Sequence, residues 1–596
     1  MTWEAWFVVG VIIAVLIALV RNFAPADLLL LSGLTLVMVM GGLSGSEMLP
    51  SVQQAVSGFG NPGMLTVGVL FVVVEGLAQT GAMARITGPL LGLPKSAISA
   101  QARLIFPVAG MSAFLNNTPI VAMFMPVIDE WCKKVKINPS KLYIPLSYAS
   151  IFGGACTLIG TSTNLIVYGM MTEHEGLPTL GMFDLAWVGV PCAVLGLGYI
   201  LLTGRWMLPD RVPAVSLNDD PRQYTAEMIV EDGGAMIGKT IMQAGLRHLS
   251  GLYLAEIDRG NRLMCAVSSN VVLEANDRLI FVGVVESVVE LRKMRGLVPA
   301  TDQVFKLGHE VSERKLIEAV VSNQCPMIGK TIRDAKFRTN YGAAVIAVGR
   351  SGERIEQKIG DIKLQPGDTL LLEGTQAFVD LQRNSRDFFL VSALEGSTPV
   401  RHHRAWVAIG ILGGMIAMVT MGWLSMLTSA LLAAGLMIAT RCCTGSEARR
   451  SVNWQVLLTI GAALGLGMAL RESGAAAVIS NKIIGLVGEN PVLVLGAVYF
   501  VTMLFTEVIT NNAAAVLVFP IAYAAAGTLG VSFMPFAIVI MLAASASFAT
   551  PIGYQTNLMV YGPGGYRFTD YMRYGIPLNL LFMTTSIVIT PIVWPF

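Results

Sequence analysis

The sequence predicts a polytopic α-helical membrane protein: an inverted repeat of about five transmembrane helices plus one re-entrant hairpin per half, with a soluble α/β tandem insert between the halves. Three observations predict it. The chain of 596 residues is 54% hydrophobic and only 13% charged, against roughly 25% charge in an ordinary soluble domain. Its long apolar runs fall into two blocks that repeat each other's motifs, and matching loops of the two blocks carry opposite charge bias. A formal net charge of +2 with no concentrated basic face sets nucleic acid aside as a partner.

A span of the hydrocarbon core needs about 20 mostly apolar residues. Such runs lie near 4–20, 27–43, 62–80, 142–168 and 184–207, and again near 404–421, 424–440, 453–470, 533–560 and 576–594. The first, Trp6 to Val20, follows acidic Glu4 and precedes Arg21, the reverse of a signal peptide's basic start, so it reads as a retained helix. Segments 97–130 and 491–526 are long and apolar yet broken midway by consecutive asparagines. Unwound backbone is tolerated at membrane depth only where protein or a water-filled cavity surrounds it, and both segments therefore read as re-entrant hairpins. Residues 1–208 form the first membrane repeat and 401–596 the second.

The repeat is visible in three anchors. Leu77-Ala-Gln-Thr-Gly81-Ala matches Leu470-Arg-Glu-Ser-Gly474-Ala, an offset of 393 (470 − 77). Thr157-Leu-Ile-Gly160-Thr-Ser-Thr-Asn164 matches Thr550-Pro-Ile-Gly553-Tyr-Gln-Thr-Asn557 at the same offset, and Asn116-Asn117 matches Asn511-Asn512 two residues later. The loop with Lys133, Lys134, Lys136 and Lys141 has an uncharged partner, 522–534; Arg441, Arg449 and Arg450 correspond to 46–61, which has no basic residue. Lys and Arg near helix ends favour the cytoplasm, so the copies are inverted. This threading puts the insert in the cytoplasm of a multi-pass inner-membrane protein, with both termini outside. Inverted repeats with broken helices are the architecture of secondary transporters, whose sites lie where the repeats meet. A channel remains the alternative of another class, although no carbonyl filter such as TVGYG is present.

Between the blocks, charges appear every few residues and β-branched runs such as 279–282 and 344–348 alternate with turns. Met236-Ile-Gly-Lys-Thr240 recurs as Met327-Ile-Gly-Lys-Thr331, an offset of 91 (327 − 236), which makes the insert two modules, 209–305 and 306–400. Gly233 to Thr240 satisfies the P-loop pattern letter for letter. Its equivalent has Asn323 and Gln324 in place of the glycines, so a turn shared by both modules explains it better than a nucleotide site.

Four breaks carry the candidate chemistry: Asn116-Asn117-Thr118-Pro119, Gly160-Thr161-Ser162-Thr163-Asn164, Asn511-Asn512-Ala513-Ala514 and Gly553-Tyr554-Gln555-Thr556-Asn557. Asn, Thr and Ser offer neutral oxygens to a hard cation and donors to an anion, and helix halves ending at breaks add exposed N–H groups and carbonyls. A single Asn would merely cap a helix; four symmetry-related breaks point to a site. Glu507 is an ionisable group inside an apolar hairpin and Glu75 another in a span. Such residues are costly in lipid and default to functional candidates, Glu507 as a coupling group, unless each pairs with a backbone amide or an Arg.

These residues resemble the divalent anion/sodium symporter family of the ion-transporter superfamily, across both membrane blocks. There each hairpin tip carries Ser-Asn-Thr and is followed by a Gly/Thr/Pro-rich break ending in Asn. The resemblance implies substrate contacts at Asn117, Thr118, Asn512 and Ala513. It implies sodium contacts at Asn116, Asn117, Gly160, Thr161, Asn164, Asn511, Asn512, Gly553, Thr556 and Asn557. Asn116 and Asn511 stand where Ser is expected, and Ala513 where the second Thr is expected. Double asparagines with a soluble insert look like the sulfate branch, so the implied substrate is sulfate, with a dicarboxylate as the alternative. Sodium is the expected coupling ion, a proton the other candidate, and no organic cofactor is implied. The resemblance further implies an elevator-like movement within a homodimer. The insert modules resemble the TrkA C-terminal domain, which implies a regulatory role with a small-molecule ligand, or support of dimerisation.

Overall fold

The computed structural model describes residues 2–596 apart from 83–90, 212–224, 247–251, 266–270, 284–293, 300–313, 391–401 and a number of shorter stretches. The expected module boundaries near 305 and 400, the residue Lys136 and the side chains of Lys133 and Lys134 lie outside the described residues. Two compact units divide the chain: Met1–Asp210 with Thr398–Tyr561 and Tyr566–Phe596, and Arg211–Ser397 with Gly562–Gly565.

Among its described residues the regular structure of the first unit is helical. Its first repeat comprises α1 (Trp3–Val20), α2 (Ala26–Ser44), α3 (Val52–Ser57), α4 (Pro62–Gln79), α5 (Ala97–Ser112), α6 (Asn117–Val135), α7 (Tyr143–Gly154), α8 (Ser162–Thr172) and α9 (Ala186–Met207). The second comprises α10 (Ala405–Thr420), α11 (Met426–Ala439), α12 (Gly445–Ser451), α13 (Trp454–Glu472), α14 (Ala475–Val487), α15 (Pro491–Thr506), α16 (Asn511–Leu529), α17 (Met534–Ser545), α18 (Gln555–Tyr561) and α19 (Phe568–Val593). By length and composition six spans are sufficient to cross a membrane among the described residues: α2, α3–α4, α9, α13, α16 and α19. The helices α14 and α15 form a further, bent pair, at 117°.

Local chemistry repeats along with the helices. Ser51 and Gln54 close a capping box on α3, and Thr444 and Glu447 close the same box on α12, satisfying end N–H groups reciprocally. Asn61 caps α4 by accepting from Gly63 and Met64, with Pro62 at the first helical position, and Asn453 caps α13 by accepting from Val456.

The runs 142–168 and 533–560 are interrupted around the expected breaks: α7 stops at Gly154 before α8 starts at Ser162, and α17 stops at Ser545 before α18 starts at Gln555. Two expectations need correction. The first hairpin turns over residues 113–116, up to its first asparagine, whereas the second turns before both of its asparagines, with Glu507, Ile509 and Thr510 outside the helices; Asn117 and Asn511 open the returning helices. Finally, α19 begins well before 576, because Asp570 accepts from the backbone N–H of Arg567 and fixes its first turn.

The second unit contains two five-stranded antiparallel sheets. The first runs β3-β2-β4-β1-β5, with β1 Thr225–Val230, β2 Leu252–Arg259, β3 Arg262–Cys265, β4 Arg278–Gly283 and β5 Leu297–Pro299. The second runs β10-β6-β9-β7-β8, with β6 Arg314–Val321, β7 Ala344–Arg350, β8 Glu353–Arg354, β9 Thr369–Thr375 and β10 Phe388–Leu390. Read in reverse, the second order is the first one moved along by one module. A register shift between Leu254 and Glu256 recurs between Val345 and Ala347. Each sheet buries its own apolar cluster, around Leu254, Ile257 and Phe281 in one and Val345, Leu370 and Phe388 in the other. The P-loop-like segment is a turn: Gly238 and its equivalent Gly329 adopt φ of +79° and +78°. Both donate their N–H groups to carbonyls 2.9 Å away, on Leu273 and Leu364. A phosphate cradle would need a helix opening behind it, and residues 241–246 form turns.

Candidate transport site

The two repeats exchange partners at their broken helices. The half-helix α18 of the second repeat packs on α6 and α7 of the first, and α8 of the first packs on α16 and α17 of the second. Each hairpin therefore returns beside the other copy's break.

At the first tip Asn117, fully buried, accepts from Ser112 Oγ at 2.5 Å and donates its Nδ2 to Tyr554 Oη at 2.5 Å. Thr118 Oγ1 donates to Gln555 Oε1 at 3.2 Å. At the second tip Asn512 Oδ1 accepts from Ser162 Oγ at 3.0 Å and Thr163 Oγ1 at 3.3 Å. Tyr554 Oη also meets Thr161, its own equivalent 393 positions earlier (554 − 161). Two positions that are equivalent in the repeat thus meet each other.

The breaks are held from within. Asn164 Nδ2 donates to the carbonyls of Gly154 (3.3 Å) and Thr157 (2.9 Å); Asn557 Nδ2 donates to those of Ser547 (2.9 Å) and Thr550 (3.1 Å). Gly160 and Gly553 are required by close approach. A Cβ at Gly160 would lie 2.6 Å from the Gly154 carbonyl oxygen and 2.9 Å from that of Ser112, and one at Gly553 would lie 2.8 Å from that of Thr506. Carbonyl oxygens thus crowd each break, as a hard cation requires. Asn164 Oδ1 is buried without a hydrogen-bond partner, the kind of orphan a bound ion accounts for. Asn557 Oδ1 instead accepts from Ser147 Oγ at 2.7 Å, and the same hydroxyl meets Thr556 Oγ1 at 2.8 Å.

The structure thus brings together Asn117, Thr118, Asn512, Gly160, Thr161, Asn164, Gly553, Thr556 and Asn557. Ala513 is buried in the first turn of α16, its N–H donated to the capping Thr510 Oγ1 at 3.4 Å. Asn116, in the turn before α6, lines a small cavity with Val67, Phe71, Phe114, Leu165 and the break residue Ser162. Asn511 opens α16 as its first residue, half-buried. Asn511 and Asn512 are successive helical residues and point about 100° apart; Asn512 is the one that bonds the break, through Ser162 and Thr163. Glu507 caps the C-terminal end of α15 and accepts from Ser547, Ala549, Thr550 and Asn579. Glu75 accepts from Gln79 Nε2, one turn along α4, at 2.7 Å.

A family model described as citrate transporter matches residues 6–540. The chain belongs to the citrate transporter family. Members of this transporter family and its relatives set the context for the chain's role, which is transport and not enzymatic catalysis. It is 34% identical to a putative sulfur deprivation response regulator of Chlamydomonas reinhardtii, over 94% of this chain and 97% of that one. It is 32% identical to an uncharacterised transporter of Synechocystis, over 97% of this chain and 96% of that one. It is 29% identical to sodium/sulfate cotransporter 2 of Chlamydomonas reinhardtii, over 90% of this chain and 84% of that one.

Sequence reasoning left out Ser112, Ser147 and Tyr554 as site residues. Tyr554 had a signal, since it replaces a threonine at a repeated position. Ser147 had none, because its equivalent is Ile540 (147 + 393).

Proposed function

We propose that this family member is a secondary active transporter that couples an inward sodium gradient to uptake of a small divalent anion, sulfate, by alternating access. The observation that carries the reading is the reciprocal bonding of tip and break: Asn117 to Tyr554, and Asn512 to Ser162 and Thr163. A site shared between the repeats changes its exposure when one body moves against the other, which is what alternating access requires. The cation contacts are the break carbonyls, Asn117, Asn164, Asn512 and Asn557; the anion contacts are the amides and hydroxyls at the tips. Support for sulfate comes from Ala513, where a dicarboxylate carrier has a hydroxyl, and from relatives named sodium/sulfate cotransporters. Driving a dianion inward against the membrane potential costs about 2.3 kcal/mol per charge per 100 mV, so electrogenic uptake needs more than two sodium ions per sulfate. By the same family likeness the movement is elevator-like within a homodimer. The insert, similar to TrkA C-terminal modules, is then a cytoplasmic regulatory element that takes a small-molecule ligand.

A dicarboxylate or citrate is the second reading, favoured by the description of the matching family. The test is uptake of radiolabelled sulfate by proteoliposomes, with and without an inward sodium gradient, and with succinate or citrate as competitor. Sodium-dependent accumulation of sulfate above equilibrium supports the proposal and excludes a channel. Inhibition by succinate or citrate moves the substrate to carboxylates, and accumulation that follows a pH gradient without sodium replaces the coupling ion with a proton.

A further inference from the structure

Glu507 is the acidic side chain at the second tip, and its surroundings differ from those of its counterpart in the first repeat. The carboxylate has four partners, two on each oxygen. Oε1 accepts from the backbone N–H of Ala549 at 2.9 Å and Asn579 Nδ2 at 2.8 Å. Oε2 accepts from Ser547 Oγ at 3.1 Å and Thr550 Oγ1 at 2.8 Å. A carboxylate offers about four lone-pair positions, and here donors fill them. Three of those donors belong to the segment between α17 and α18, and the fourth to α19.

Two of the donors coincide with residues that Asn557 holds. Asn557 takes the carbonyls of Ser547 and Thr550, and Glu507 takes the hydroxyls of the same two residues. The break is therefore held at the same two residues by Asn557 through their carbonyls and by Glu507 through their hydroxyls. The position equivalent to Glu507, five before the inner tip asparagine, is Ser112 (117 − 5, against 512 − 5). Ser112 bonds its own tip, Asn117, and Gly154 has no hydroxyl to offer in place of that of Ser547. In the first repeat the Thr157 hydroxyl donates instead to the Ala113 carbonyl, so the first break is tied to its hairpin through backbone and the second through a carboxylate.

We infer that Glu507 is a positioning residue that fixes the second break in its cation-holding shape, and that it neither carries the coupling proton nor ligates the ion. A proton or an ion on the carboxylate would displace one of the four donors, each of which would then need a new acceptor in an apolar hairpin. The inference rests on the proposed sodium coupling, and its test separates the two.

The experiment is sodium-dependent thermal stabilisation of the purified full-length protein, without anion and with choline as control. It is paired with uptake measured across the neutral pH range. Glu507→Gln keeps the shape but offers one oxygen to four donors, so two bonds are lost. The half-stabilising sodium concentration is expected to rise about tenfold, while the shape of the pH profile of uptake stays that of the wild type. Glu507→Asp is expected to recover part of the affinity. If Glu507→Gln fails to fold, Asn579→Leu, which removes the one donor outside the break, carries the test with an expected rise of about threefold. Sodium binding unchanged in these variants overturns the inference, as does a wild-type pH dependence of uptake that Glu507→Gln abolishes. A wild type indifferent to sodium overturns the sodium-coupled reading itself, and this inference with it.

Discussion

Asn164 and Asn557 hold their breaks with the same two bonds: each side-chain amide donates to the carbonyls ten and seven residues before it. The two are not equivalent in their remaining oxygen. That of Asn557 accepts from Ser147, whereas that of Asn164 is buried and unpartnered. Replacing either by Ala frees two carbonyls from a fixed position. Asn164→Ala is expected to remove most sodium dependence of uptake and to destabilise less than Asn557→Ala, because one orphan is lost along with the bonds. Asn557→Ala also strands the Ser147 hydroxyl, and a buried polar group left unpaired costs about 1–3 kcal/mol. Thermal unfolding of both variants in parallel with sodium titration of uptake checks the difference; equal destabilisation would contradict it.

Tyr554→Phe isolates the contact between the repeats. Its hydroxyl accepts from Asn117 Nδ2, and both residues are buried. Without the hydroxyl the amide of Asn117 lacks its acceptor, at a cost of about 1–3 kcal/mol. The ring and its packing stay. The expected result is a lower unfolding temperature together with a raised KM for the anion, read from uptake at saturating sodium. A variant with wild-type KM would mean that the first tip binds the anion independently of the second copy.

The breaks were legible because they recur at offsets of 393 and 395 in a chain whose sequence otherwise diverged. Their exact partners were not. Whether Asn116 or Asn117 turns inward depends on where the helix starts, and that is set by the turn at 113–116, which has no sequence signature of its own. Glu507 was legible as costly but not as satisfied, since its donors come from Ser547, Ala549, Thr550 and the distant Asn579. The sheets of the insert were foreshadowed by β-branched runs at 279–282 and 344–348, which fall in β4 and β7. The strand order was not, because register is fixed by cross-strand packing between segments remote in sequence.

Glycine substitutions separate crowded positions from open ones. A Cβ at Gly160 or Gly553 would press on backbone carbonyls at 2.6 Å and 2.8 Å, distances that only movement of the break relieves. At Gly527, near the end of α16, nothing lies within 4 Å. Gly160→Ala and Gly553→Ala are expected to abolish sodium-driven uptake. Gly527→Ala is expected to leave uptake intact and to raise stability by about 0.5–1 kcal/mol through helix propensity. Uptake and unfolding temperature, normalised to the amount of protein in the liposomes, give the comparison.

The soluble unit offers a test of its own repeat. Arg259 Nε meets Asp277 Oδ1 at 2.7 Å in the first module, and Arg350 Nε meets Asp368 Oδ1 at 2.7 Å in the second. The two aspartates are 0% and 1% exposed, and each also accepts a backbone N–H three residues before it, from Glu274 and Gln365. Desolvation pushes the Asp368 carboxyl up from its ordinary value, and the Arg350 guanidinium and the Gln365 N–H pull it back. Removing the arginine therefore leaves a buried acid with only the upward influence and one amide. Breaking such a pair from one side costs about 3–5 kcal/mol. Arg350→Ala is expected to unfold the second sheet well below the temperature at which Arg259→Ala unfolds the first. The Arg259 pair has a further exposed carboxylate, Glu274, at 60% exposure, which draws water to that side. Limited proteolysis on heating, with cleavage sites mapped to each module, distinguishes them. In Arg350→Ala the loss should also be smaller at acid pH, where the stranded carboxyl takes up a proton and its burial costs less. A loss that does not change with pH would mean that water reaches Asp368 once the guanidinium is gone.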